Sequence, residues 1–127
     1  WKKYGLKREK ISINMLTLYH NNRCSKSREC LNIIKKSNLE YQLVEYLKVG
    51  LEKNVIKSMV YGLKKELPIL IREKEKSIKD YKINFNNLNS IINLIYNHKE
   101  CLQRPIVFYN KKYIICRPPE KILQYIK

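Results

Sequence analysis

Residues 16 to 46 change hydrophobic period twice, and that alternation restricts the fold more than any other feature. Leu16-Thr17-Leu18-Tyr19 is a short run of apolar and β-prone residues, which reads as a buried strand. A polar stretch follows, His20-Asn21-Asn22-Arg23. Ser27, Cys30, Leu31 and Ile34 then recur at i, i+3, i+4 and i+7, which marks one face of a half-buried helix. Ser37-Asn38 ends it, and a second short strand is expected over 41–46. Strand, helix and strand in this order form the unit that opens α/β sheets.

The remaining pattern extends this start. Val55, Ile56, Met59, Val60 and Leu63 make one helical stripe, with Gly62 near its end. Pro68 suits the first turn of a short helix carrying Leu70, Ile71 and Arg72. Residues 73–83 are polar and read as a surface loop. Residues 84–87 offer several asparagine caps for a helix with Leu88, Ile91, Ile92 and Ile95 on one face. Pro105 leads into the apolar run Ile106-Val107-Phe108-Tyr109. A polar turn, Asn110-Lys111-Lys112, separates it from Tyr113-Ile114-Ile115-Cys116, so a β-hairpin is expected. Pro118 and Pro119 precede a last helix with Ile122, Leu123 and Ile126 facing inward. The order βαβ, helices, ββα is that of an α/β, thioredoxin-like fold: one four-stranded mixed sheet with a helical insertion. Two segments are expected, a basic N-terminal extension over 1–14 and the folded domain over 15–127. Ile11 and Ile13 alternatively lengthen the first strand.

A chain of 127 residues suits one domain with its own core. No apolar run reaches the roughly 18 residues of a membrane span, and no secretory signal is apparent, so a cytoplasmic protein that does not engage membranes is expected. The net charge of +16 invites a nucleic-acid reading. That charge is mostly lysine, spread along the whole length of a chain also crowded with Asn, Ile and Tyr, as an AT-rich coding sequence would supply. A solvated lysine surface and no nucleic-acid partner are therefore expected. The six arginines are scarcer and more informative.

The chemistry centres on Cys24, placed where a strand ends and a helix begins. A thiolate is the nucleophilic form of cysteine, and the unpaired N–H groups at a helix start lower its pKa. The same groups attract oxyanions. Ser25 and Ser27 add hydroxyls, Arg28 adds a cation, and His20 shares the loop and is placed to stabilise the thiolate. Cys24-Ser25-Lys26-Ser27 lacks the second thiol of a Cys-x-x-Cys pair, so an external thiol is needed to resolve any adduct on Cys24. Cys30 lies on the apolar helix face and reads as core. The spacing of Cys24, Cys30, Cys101 and Cys116 matches no zinc-ribbon pattern, and no metal is expected. Free thiols in a reducing compartment are the simplest reading.

Arg72, Arg104 and Arg117 each sit at an element boundary, the last two directly before Pro105 and Pro118. A residue before proline is held extended, which projects its side chain predictably. Guanidinium forks bind tetrahedral oxyanions through paired hydrogen bonds. In a thioredoxin-like sheet the Arg104–Pro105 peptide falls beside the nucleophile loop and is a candidate for the cis form.

The stretch from Leu18 to Arg28, Leu-Tyr-His-Asn-Asn-Arg-Cys-Ser-Lys-Ser-Arg, resembles the signature loop of the glutaredoxin-dependent arsenate reductases, the ArsC family. Leu70-Ile71-Arg72-Glu73-Lys74-Glu75, Arg104-Pro105-Ile106-Val107 and Arg117-Pro118-Pro119-Glu120 resemble three further motifs of that family, in its order and spacing, so that the resemblance runs from Met15 to Ile126. It implies that Cys24 attacks arsenate, that His20 helps keep Cys24 ionised, and that Ser27 hydrogen-bonds its sulfur. It further implies that Arg72, Arg104 and Arg117 hold the oxyanion. No bound cofactor is implied. Glutathione is the external reductant, with glutaredoxin as its protein partner. Cys116 stands where many relatives have glycine, and Tyr81-Lys82-Ile83 replaces a common Leu-Gly turn. Spx-type regulators resemble the chain in the first loop but typically carry Cys-x-x-Cys there, so a redox-responsive regulator without catalysis is the alternative.

Overall fold

The computed structural model describes residues 15–126; the expected extension over 1–14, including Ile11 and Ile13, lies outside them. The chain divides into two units. The first joins the segment up to Glu45 to the segment from Arg104 onward, and the second is Tyr46–Gln103.

The first unit holds the whole sheet. Strands β1 (Leu16–Tyr19), β2 (Tyr41–Val44), β3 (Ile106–Tyr109) and β4 (Lys112–Ile115) lie in the order β2-β1-β3-β4. β1 pairs in parallel with β2, while β3 runs antiparallel to both β1 and β4. This is the mixed thioredoxin-like sheet that the hydrophobic pattern implied. Helix α1 (Ser25–Lys36) forms the crossover between β1 and β2. Alternation along the strands directs Leu16, Leu18, Val107, Tyr109 and Ile114 into one core, where Cys30 and Ile34 of α1 and Ile122 and Ile126 of the C-terminal segment meet them. Two left-handed residues, Asn110 (φ 51) and Lys111 (φ 63), make the β3–β4 turn, the backbone twist that two-residue hairpins favour.

The second unit is helical. Short helix α2 (Tyr46–Val49) opens it, so Tyr46 starts a helix rather than ending β2. α3 (Lys53–Gly62) packs on α5 (Leu88–Asn97), burying Ile56, Met59 and Val60 against Ile91, Ile92 and Ile95. Asn87 caps α5 by accepting the Ser90 N–H at 3.1 Å.

Three local expectations are corrected. Helix α4 (Leu67–Leu70) stops before Ile71 and Arg72 because Ile71 turns extended and bridges Leu102. The Arg72 N–H donates to the Cys101 carbonyl at 2.7 Å, so Arg72 continues that ladder. The polar stretch 73–83 is not wholly surface: a 3₁₀ turn over Lys76–Ile78 buries Ile78. The C-terminal element is a 3₁₀ turn, Pro119–Gln124, whose tighter winding turns Leu123 outward to 56% exposure while Ile122 is fully buried.

Candidate active site

Hydrogen bonds within and around the loop between β1 and α1 place Cys24 at the helix start. The His20 N–H donates to the Val44 carbonyl at 2.9 Å, which ties the loop's beginning to β2. The Asn21 side chain accepts the Arg23 N–H at 3.0 Å, and the Cys24 N–H donates to the Asn21 carbonyl, also at 3.0 Å. One Arg28 guanidinium nitrogen donates to the Asn22 carbonyl at 2.9 Å, so Arg28 braces the loop from the first turn of the helix. Cys24 itself is the extended residue that caps α1, with φ −93° and ψ 121°.

The sulfur is partly buried, and burial alone disfavours its anion. Hydrogen-bond donors outweigh that cost and hold the thiol pKa below its ordinary value of 9.0. They are the backbone N–H of Ser27, the Arg104 guanidinium, the backbone N–H of Lys26 and the Arg117 guanidinium. Arg117 also donates through Nη1 to the Arg104 carbonyl at 2.8 Å, which ties the two arginine segments together. Both Arg104–Pro105 and Arg117–Pro118 are cis. The sequence singled out the first of these bonds and missed the second, although the same Arg-Pro pairing marked both.

His20 and Ser27 are joined to each other through their side chains. His20 is buried, and its Nδ1 lies 2.6 Å from the Ser27 hydroxyl. The Asn21 N–H donates to the same oxygen at 3.1 Å. Ser27 is fully buried; its backbone N–H faces Cys24, while its hydroxyl meets His20 and Asn21. Burial lowers the His20 pKa below 6.5, against the opposing pull of Asn22 and Glu45. A lowered pKa favours the neutral ring, and the tautomer sets which of Nδ1 and the Ser27 hydroxyl donates. His20 is therefore connected to the sulfur by way of Ser27. Asn21 is a positioning residue that the sequence reading passed over; an asparagine just before a helix start was the available signal.

Arg72 belongs to the second unit, where its Nη1 pairs with Glu75 at 3.5 Å. Among the described residues, no cluster of three His, Cys, Asp or Glu is arranged to hold a metal ion. No helix among them is long and apolar enough to cross a membrane. The assembled chemistry is that of a soft nucleophile whose anion is favoured by fixed donors, with two guanidinium groups among those donors.

The ArsC family profile matches residues 19–125. The chain belongs to the ArsC family. The ArsC match begins at the last residue of β1 and takes in the loop that carries Cys24, the second unit and the two arginine segments. The uncharacterized protein YfgD of Escherichia coli K12 is 33% identical over 113 residues, covering 86% of this chain and 94% of that protein. An arsenate reductase of Haemophilus influenzae is 30% identical over 114 residues, covering 86% of this chain and 97% of its own. Among solved structures, an arsenate reductase from Vibrio cholerae superposes with a TM-score of 0.74 at 27% identity, covering 87% of this chain and 96% of that one.

Proposed function

We propose that this ArsC protein is an arsenate reductase that uses Cys24 as nucleophile and glutathione with glutaredoxin as reductant. The observation that supports this reading most directly is the set of donors at Cys24: two backbone N–H groups and two guanidinium groups favour its thiolate. The name arsenate reductase carried by the Haemophilus influenzae relative and the Vibrio cholerae structure adds to it.

In the proposed reaction the Cys24 thiolate attacks arsenate, an As–S bond forms, and one arsenate oxygen leaves as water after protonation. Arg104 and Arg117 offset the anionic charge of substrate and adduct, and the N–H groups at the start of α1 add to that field. Glutathione then attacks the Cys24 sulfur. An S–S bond forms as the As–S bond breaks, and the electron pair of the broken bond reduces arsenic from the pentavalent to the trivalent state. Arsenite leaves, and the mixed disulfide passes to glutaredoxin, whose thiol restores Cys24. The external route accords with Ser27, a hydroxyl where a resolving thiol would otherwise stand.

The test is NADPH oxidation coupled to arsenate, glutathione, glutathione reductase and glutaredoxin, with a parallel arm containing thioredoxin and its reductase. Turnover is expected in the glutaredoxin arm and is expected to fall by about 10³-fold or more in Cys24→Ser, as for loss of a covalent nucleophile. Turnover in the thioredoxin arm alone would overturn the reductant assignment. Unchanged turnover in Cys24→Ser would overturn the mechanism.

A further inference from the structure

Two cysteines that the proposed reaction does not use lie side by side in the core of the first unit. Cys30 belongs to α1 and Cys116 directly follows β4, and both are fully buried in the same apolar cluster. The Cys116 thiol hydrogen-bonds the Cys30 thiol and also faces the Ile114 carbonyl at 3.8 Å. The Cys116 backbone is fixed as well, its N–H donating to the Pro105 carbonyl at 3.0 Å. All four cysteines are free thiols.

We propose that Cys30 and Cys116 form a latent dithiol that a small-molecule disulfide converts into an intramolecular disulfide, cross-linking α1 to the end of β4. The chemistry is thiol–disulfide exchange. One core thiol loses its proton and attacks glutathione disulfide, forming a mixed disulfide and releasing one glutathione. The second core thiol attacks the protein sulfur of that adduct, an S–S bond forms, and a second glutathione leaves. Two protein thiols are oxidised by two electrons, and one glutathione disulfide is reduced to two thiols.

Two physical features favour the cross-link over other outcomes. The two thiols are hydrogen-bond partners within one buried cluster, and a bond between them leaves no added atom in that packed core. The pair joins residues far apart in sequence, so the bond removes much freedom from the unfolded chain and adds stability. Access works in the opposite direction. The Cys116 thiol is held protonated by its Cys30 contact and by burial, and neither sulfur meets solvent. Oxidation must therefore proceed through transient opening of the unit, which makes the reaction slow in the native protein and faster wherever the core loosens. The consequence is directional: the cross-link forms when folding is under stress and then holds the fold. It ties together the helix whose first turn faces Cys24 and the strand end that leads into Arg117.

The experiment uses the 127-residue Cys24→Ser protein, which removes the accessible competitor thiol. It is incubated with glutathione disulfide over a series of urea concentrations below the unfolding transition, alkylated, digested and mapped by mass spectrometry. A peptide pair joined through Cys30 and Cys116 is expected. Its rate of formation should rise at least tenfold across the urea series, and the cross-linked protein should melt at a higher temperature than the reduced one. The same treatment of Cys116→Ala in that background should give no such pair. If alkylation labels both core cysteines in urea but no joined peptide forms, the proposal fails. It fails equally if the two carry separate glutathione adducts, or if the cross-linked protein melts lower. None of these readouts depends on arsenate turnover, so the proposed enzymatic function and this inference stand or fall separately.

Discussion

A cysteine whose anion is supported by fixed donors should react as a thiolate at lower pH than a free thiol does. Alkylation of Cys24 by iodoacetamide, followed against pH, is therefore expected to show a midpoint below 9.0, and Arg104→Ala should move that midpoint upward. An unchanged midpoint in Arg104→Ala would remove that guanidinium from the thiolate's support. His20 gives a second residue-level expectation. Its folded pKa lies below the unfolded value of 6.5, so the unfolded chain binds the proton first as pH falls. Stability should be unaffected by this group above 6.5 and should decline as pH drops from 6.5 toward the folded pKa. Urea titrations at stepped pH should show that loss, and His20→Gln should flatten it. Glu45, Arg28 and Lys35 are the charged groups that act on the ring, with burial the dominant influence. Cys24 was legible from the sequence because a strand end, a polar loop and a helix start are local patterns. The division of labour at Ser27 was not. Its backbone and its hydroxyl face different partners, and one-dimensional spacing cannot separate them.

Elements differed in how plainly they announced themselves. α1, α3 and α5 were readable because their apolar residues recur at the helical period and their burial follows that period. The hairpin was readable from two apolar runs around a polar turn, although Lys112 belongs to β4 and the turn is only Asn110-Lys111. The short pieces were not readable. Residues 67–72 carry helix-forming chemistry, yet Ile71 leaves the helix because Leu102, distant in sequence, offers it a strand partner. Leu123 faces solvent because the element around it winds as 3₁₀, a distinction of half a residue per turn that a six-residue window cannot carry. Caps are more tractable. Asn87→Ala removes the acceptor of the Ser90 N–H and should cost about 1 kcal/mol in urea unfolding, with the secondary structure seen by circular dichroism retained.

For the molecule as a whole, the net charge of +16 sets a long-range field that favours anions of any kind. If arsenate is the substrate, kcat/KM should fall several-fold as salt is raised from low ionic strength to a few tenths molar. Screening over roughly 10 Å at about 0.1 M weakens steering, while the short-range donors at Cys24 are left intact. A kcat that stays level while KM rises would assign the loss to encounter rather than chemistry. The sequence made the α/β order and the sheet legible at this scale, because strand and helix periods alternate in an unambiguous succession. It did not make the division into two units legible, since no linker-like composition marks residues 46 or 103.

The sheet's strands come from the two ends of the chain, and everything between Glu45 and Arg104 is a detour that leaves and rejoins them. A lineage carrying such a layout can lengthen, trim or rewrite the intervening cassette while the pairing of β1 with β2 and β3 stays as it was. Divergence can thus accumulate in one block of the gene while the sulfur's immediate surroundings are inherited unaltered.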